Sequence, residues 1–410
     1  MDWERLSMPE PGSLVAVGMS GGVDSTLVSL LLKEHGCRVV GVTMSSWIGD
    51  YPLPPSSQGV RSSCYGPDEA IDIAQCQEFC RQQGMKHHVI DVSEAYHHHV
   101  LDYFKDEYRC GRTPNPCVNC NPKVKFGALL DGIRATGIDF DYFCTGHYAT
   151  LVRPRDDVRL VYEQLAVSGE SGQQSGGQTG QCAVEVPVRP AVRPVMISAA
   201  TDRRKDQTYF LCRVPSATLE QVRFPLSAYT KQEVFQMARE RGLAAANRGE
   251  SQDFIPDSYL DIIFSDQPSR PGDIVDLSGK KLGVHRGIQH YTIGQRRGLG
   301  VSSNRPLYVH SIDAVSNQVV LCDDEDLLCS GLVARDWVWA GDYAPESAFR
   351  AQVKIRLASP AVMSTIQPLE DGGYRIMFDE PQRAVAPGQA AVVYYNGIIF
   401  GGGIISREIR

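Results

Sequence analysis

From residue 13 to about residue 150 the apolar positions follow two alternating rhythms. Short unbroken apolar runs at 14–19, 37–44, 85–92 and 141–147 read as buried strands. Between them, at 24–35, 68–83 and 123–136, apolar residues recur at helical spacing; Leu27, Leu30 and Leu31 form one such stripe. A strand that is apolar on both faces needs cover on both faces, so the alternation predicts a parallel sheet between two helical layers. The segment 168–180, SGESGQQSGGQTG, cannot bury a core and is expected to be a flexible surface insertion. After it, YFLCRV (209–214) and an amphipathic helix at 231–243, closed by Gly242, complete the first unit. Beyond residue 257 the helical rhythm gives way to short alternating runs such as GDIVDL, NQVVLC, AQVKIRL and AAVVYY, separated by Gly, Asn and Asp. These predict small antiparallel domains, the last a compact barrel from about residue 331.

Length turns this pattern into a domain plan. A chain of 410 residues exceeds the ~250–300 at which single cores stop growing. The expected units are an α/β domain at 1–256 with a disordered insertion near 166–182, a small central domain at 257–330, and a C-terminal β-barrel at 331–410. No signal peptide and no apolar window of ~20 residues is evident, which points to a cytoplasmic protein without a membrane partner. A net charge of −7 excludes indiscriminate coating of nucleic acid. It leaves room for a structured RNA met by local basic clusters at Arg203–Arg204–Lys205, Lys280–Lys281 and Arg296–Arg297. Twelve cysteines spread over so long a chain are expected to be reduced, so a close pair reads as metal-binding or redox-active.

The sharpest chemical motif is GMSGGVDS, comprising Gly18, Met19, Ser20, Gly21, Gly22, Val23, Asp24 and Ser25, between a buried strand and a helix. Its glycines permit a tight turn and close backbone approach, so that N–H groups and the helix N-terminus can hold an anionic phosphate. Asp24 is placed either to hold a magnesium ion or to cap the helix. The loop lacks the GKS or GKT of the mononucleotide P-loop, which favours cleavage of ATP at the α-phosphate with pyrophosphate in the cradle.

SGGVDS after a buried strand resembles the signature of the PP-loop ATP pyrophosphatases. Further segments resemble, in order, the bacterial tRNA-specific 2-thiouridylases: GRTPNPCVNCNPKVKFG (111–127), TGHYA (145–149), RRKDQTYFL (203–211), GESQD (249–253), LGVHRGIQHYTIGQRRGLG (282–300) and APGQAAVVYYNGIIFGGGII (386–405). The resemblance implies a PP-loop domain, a small central domain and a C-terminal β-barrel. It also implies an enzyme that uses ATP with magnesium to adenylate the carbonyl oxygen of a wobble uridine before sulfur displaces AMP. By that resemblance residues 18–25 hold the phosphates, with Met44 and Gly146 on the adenine and ribose side. Asn115, Pro116 and Cys117 meet the target base, and His147, Lys205, Asp206, Gln207 and Gln389 meet tRNA. Taken alone, Met44 reads equally as a core residue, His147 as a structural histidine and Lys205 as a solvated charge. His97, His98 and His99 read as surface residues, because three consecutive side chains do not converge on one ion.

The cysteines depart from the family pattern. Cys120 matches the catalytic cysteine, Cys117 stands where many members have Asp, and at the place of the usual second cysteine the chain has Phe254 and Ile255 or a short deletion. Two schemes stay open: Cys117 and Cys120 as a persulfide-bearing dithiol, or the pair as ligands of an iron–sulfur cluster with a third cysteine, among them Cys64, Cys110 or Cys144. The sulfur donor implied is a cysteine desulfurase or a relay protein. Two rival classes remain: a PP-loop ligase activating a carbonyl or carboxyl for nitrogen attack, and a tRNA-binding relative that has lost catalysis.

Overall fold

Strands Lys86–Asp91, Arg38–Ser45, Leu14–Gly18, Tyr142–Cys144 and Val222–Arg223 lie in that order in one sheet, every pairing parallel. The central Leu14–Gly18 strand is buried along its middle, with Val15, Ala16 and Val17 inaccessible. Helices Val23–Glu34 and Lys231–Glu240 pack on one face, and the chain from Ser93 to Ala135 covers the other. The order reverses at Leu14–Gly18, where the following chain moves to one side and the later strands to the other, and this is where a doubly wound sheet opens a crevice beyond its carboxyl edge. The computed structural model describes residues 2–55, 64–166, 191–247 and 254–410; the Gly/Ser/Gln insertion, residues 56–62 of the loop beginning at Tyr51 and the GESQD segment lie outside them.

Lys231–Glu240 illustrates how local chemistry sets an element. Thr230 accepts from the Glu233 backbone while the Glu233 carboxylate accepts from the Thr230 backbone, a reciprocal cap on two otherwise unpaired donors. Gly242 ends the helix with φ 66°, a left-handed conformation that suits glycine. The 209–214 stretch begins within a short helix, Thr208–Leu211.

The central unit is a four-stranded sheet, Lys281–His285, Gly272–Asp276, Gln318–Cys322 and Tyr308–Asp313. It is not wholly antiparallel as the alternation predicts, because Gly272–Asp276 and Gln318–Cys322 run parallel. The intervening chain, with its glycine-rich turns, forms the crossover that a parallel pair requires.

The C-terminal strands Leu328–Trp339, Tyr374–Arg383, Val362–Pro368, Phe349–Lys354, Ala390–Tyr395 and Ile398–Ile409 pair antiparallel, and the last two close the ring into a barrel. The barrel is tied to the first domain. Trp3–Leu6, Thr150–Pro154 and Met196–Ser198 extend its sheet through the pairing of Ser198 with Ile398. Among the described residues no helix is long and apolar enough to cross a membrane.

Candidate active site

The Gly18–Ser25 loop sits at the switch point of the parallel sheet. Gly18 ends its strand under the ring of Phe143; a Cβ there would come 2.9 Å from that ring. Gly21 has φ 73°, and Gly22 holds the N-cap position of the Val23–Glu34 helix with no side chain capping it. Around the turn, the Ser25 hydroxyl accepts from Ser20 N at 3.3 Å, and Thr26 Oγ1 donates to Gly22 O at 2.8 Å. Such an N-terminus, with its dipole and backbone donors facing out of the sheet, is suited to an anion.

Asp24 neither caps the helix nor stands alone. Lys231 Nζ donates to both of its carboxylate oxygens at 2.8 and 2.7 Å, and Tyr148 Oη donates to Oδ1 at 2.9 Å. Lys231 is almost buried, so this pair fixes the second helix of the layer to the first turn of Val23–Glu34. Gly146 presses on the same corner, where a Cβ would come 2.7 Å from the Asp24 Cβ. Met44 is half-buried at the end of the neighbouring strand. Immediately beyond it, the Glu69 carboxylate accepts from Ser45 Oγ, Ser46 N and Oγ, and Trp47 N, which pins the chain along this edge.

Cys117 and Cys120 lie on the helix Pro116–Cys120, which proline opens and which runs directly into a π-helical stretch, Asn121–Ala128. Three-residue spacing puts both thiols on one helical face. The predicted helix at 123–136 thus begins earlier and is widened at its start. The wider turn, closed by Leu129 N to Val124 O, brings Lys125 toward the thiols. Both cysteines are half-buried. Burial pushes the Cys117 thiol up to about 12 and the Cys120 thiol up to about 11, while the Lys125 ammonium works in the opposite direction on both. Lys125 was not among the residues singled out from sequence; its spacing from Cys120 becomes meaningful only through the π turn.

The stretch carrying the thiols also reaches the sheet edge. Phe126 packs on Phe143 at 5.9 Å and on the His147 ring at 5.7 Å, with Phe224 on that ring at 5.6 Å. His147 is nearly inaccessible; Thr145 Oγ1 lies 2.7 Å from its Nδ1, and burial, with Lys125 second, pushes its pKa well below the usual value.

Gln389 of the barrel meets the segment preceding the cysteines. Its Nε2 donates to Thr113 O at 3.0 Å and Pro114 O at 3.1 Å, and Asn115 Nδ2 is 3.5 Å from its Oε1. Residues far apart in sequence are therefore joined at one seam. The Lys205–Asp206–Gln207 turn is divided in its roles. Lys205 is exposed, Asp206 accepts from Ala200 N and Thr208 N, and Gln207 holds the TGHYA turn through both backbone and side chain contacts to Tyr148.

The histidine run is not simply surface. His97 is half-buried, 2.9 Å from Asp50 Oδ2 and 3.1 Å from Tyr65 Oη, on a second π-helical stretch, His97–Asp102. Every described cysteine is a free thiol. Among the described residues no three His, Cys, Asp or Glu side chains are gathered as a metal site.

Three family models match the chain: a tRNA methyl transferase HUP domain over residues 13–169 and 180–256, a tRNA methyl transferase PRC-barrel domain over 261–323, and an aminomethyltransferase β-barrel domain over 329–405. The chain is 37% identical to a tRNA-specific 2-thiouridylase MnmA of Endomicrobium trichonymphae, over 95% of this chain and 98% of that protein. It is 38% identical to one from Roseiflexus sp. (strain RS-1), over 96% and 99% respectively. Among solved structures, the U34-tRNA thiolase NcsA of Methanococcus maripaludis is similar at 16% identity and a TM-score of 0.30, covering 63% of this chain and 65% of that one.

Proposed function

Because the chain belongs to the tRNA-specific 2-thiouridylase family, we propose that it is an ATP-dependent sulfurtransferase acting on the wobble uridine of tRNA. The observation that carries this reading is the meeting, at one sheet edge, of a phosphate-binding turn with a stretch bearing two half-buried thiols. Phe126 and His147 connect the two parts.

The chemistry runs in two stages. The uracil carbonyl oxygen attacks the α-phosphorus of ATP; the O–P bond forms and pyrophosphate leaves, held by the backbone of residues 18–25. Magnesium, arriving with ATP, supplies positive charge to the phosphates. Asp24 is engaged by Lys231 and Tyr148, so its part is to shape the loop. A persulfide on Cys120 then attacks carbon 2, and AMP departs with the original oxygen. Cys117 attacks the Cys120 sulfur, the S–S bond breaks, and its electron pair forms the C=S bond of the product. The resulting disulfide is returned to two thiols by a dithiol reductant. Lys125 stabilises the thiolate that each step needs.

A uridine in the partly unstacked anticodon loop can be turned out at low cost. Exposed Lys205 is suited to backbone phosphates, and the Gln389–Asn115 seam to receiving the base. The reading extends to a cytoplasmic enzyme supplied by a persulfide-carrying desulfurase or relay protein. Purified protein given tRNA transcript, ATP and a persulfide donor is expected to form 2-thiouridine, AMP and pyrophosphate in equal amounts. Cys120→Ser is expected to form no thiouridine. Thiouridine formed at the normal rate by that variant would contradict the assignment. AMP and pyrophosphate formed from ATP without tRNA, and undiminished in Cys120→Ser, would favour the nitrogen-ligase class.

A further inference from the structure

Sulfur has to reach Cys120 from outside, and the two cysteines of the CxxC helix are poorly placed to meet a donor. Both are half-buried, and burial keeps both thiols protonated at neutral pH. Cys64, by contrast, is exposed.

Its position is fixed by its neighbours. Cys64 N donates to Phe254 O at 3.3 Å. Tyr65, fully buried, donates to Asp50 at 2.6 Å, lies 3.1 Å from His97, and stacks on Tyr96 with ring centroids 5.3 Å apart and 6° between planes. Tyr96 packs in the same core as Val118 and Val124, which flank Cys120 in sequence. Cys64 also lines a cleft with Asp68, Asp72 and Tyr259. Asp72 faces the phosphate loop, since a Cβ on Gly21 would come 3.2 Å from its Oδ1.

One buried polar atom lies near these thiols. The Tyr96 hydroxyl, 1% exposed as a residue, has no hydrogen-bond partner among the described residues. An orphaned buried hydroxyl costs about 1–3 kcal/mol and calls for an explanation. Its acidity is suppressed first by burial and then by Cys120, Cys64 and Cys117, which places these three thiols near it. A hydroxyl near three thiols, with no partner among the described residues, is suited to donating to a sulfur atom in transit.

Resting on the sulfurtransferase reading above, we propose that Cys64 is the entry thiol: it takes the outer sulfur of a persulfide donor at the surface and passes it inward to Cys120. In the first step the Cys64 thiolate attacks the outer sulfur of the donor persulfide, the donor S–S bond breaks, and the donor leaves as a thiol. In the second, the Cys120 thiolate attacks that same sulfur on Cys64; a new S–S bond forms on Cys120, and Cys64 departs carrying the proton that Cys120 gave up. Both are exchanges with no net oxidation or reduction. The Tyr96 hydroxyl donates to the migrating sulfur. This route assigns to an exposed cysteine of the 64–69 turn the supply of sulfur to the buried dithiol.

The test uses cysteine persulfide carrying radioactive sulfur in its outer position, full-length protein under anaerobic conditions, rapid quenching and peptide mapping. Label is expected on Cys64 first and on Cys120 later. In Cys120→Ser it should remain on Cys64, and in Cys64→Ser loading of Cys120 should slow at least tenfold. Cys64→Ser loading Cys120 at the wild-type rate, or Cys120→Ser with no label on Cys64, would overturn the entry role. Tyr96→Phe should slow only the Cys64-to-Cys120 transfer; an unchanged rate would remove the hydroxyl from the step. Pyrophosphate release by wild-type protein, measured with tRNA in parallel, reports separately on the sulfurtransferase reading: its absence undoes that reading, whatever the labelling pattern.

Discussion

At the scale of single residues, the decisive quantity is the charge state of two thiols. Burial raises Cys120 to about 11 and Cys117 to about 12, so each holds its proton across the neutral range. Alkylation of Cys120 by iodoacetamide should therefore climb about tenfold per pH unit from pH 7 until it levels near 11. Levelling near 9, the ordinary thiol value, would show that burial is not felt in solution. The folded-state values lie above the unfolded ones, so the stability these thiols contribute is whole below pH ~9 and is lost as pH rises through 11 and 12. Lys125 acts against burial. Lys125→Met should slow alkylation of Cys120 at pH 8 by about three- to tenfold and move the profile to higher pH, whereas an unchanged profile would take Lys125 out of the thiol environment.

At the scale of elements, the active site depends on how a few short segments are ended and joined. The capping box of Thr230 and Glu233 holds the helix that supplies Lys231 to Asp24. Thr230→Ala should cost about 1 kcal/mol locally, read as roughly fivefold faster amide hydrogen exchange in the first turn of Lys231–Glu240. Exchange unchanged there would mean that packing alone fixes the helix start. Much of this layer was legible in the sequence, because buried strands and amphipathic helices announce themselves by period, and Gly242 by its chemistry; the capping box at Thr230 emerged only in the structure. The π-helical stretch at Asn121–Ala128 was not legible. Its residues have the apolar spacing of an ordinary helix, and in the wider turn Phe126 packs against Phe143 and His147, contacts that sequence spacing does not announce. The pairing of His97 with Asp50 and Tyr65 was hidden for a similar reason, since it joins three segments with no common period.

At the scale of the molecule, the barrel is bonded directly to the segment that leads into the CxxC helix. Thr113 N donates to Pro387 O at 2.8 Å, Gln389 bonds the backbone of residues 113 and 114, and Tyr103 Oη donates to Gly388 O at 3.3 Å. Gly388 has φ 93°, and a Cβ there would come 2.8 Å from Thr113 O. Gly388→Ala should therefore push the barrel from the CxxC segment, lowering thiolation at least tenfold while ATP binding, measured by equilibrium dialysis, stays within about twofold. Equal loss of both would place the damage in the fold as a whole. Sequence motifs marked both sides of this seam, at 113–117 and 386–389, but spacing alone gave no sign that they touch. The central claim is that ATP activates the uridine oxygen and sulfur replaces it. The most direct test is a single turnover on tRNA whose target uridine carries oxygen-18 at carbon 2, with the products weighed by mass spectrometry. The account predicts that one oxygen-18 per thiouridine formed appears in AMP; heavy oxygen retained in the tRNA, or released to water with AMP unlabelled, would contradict it.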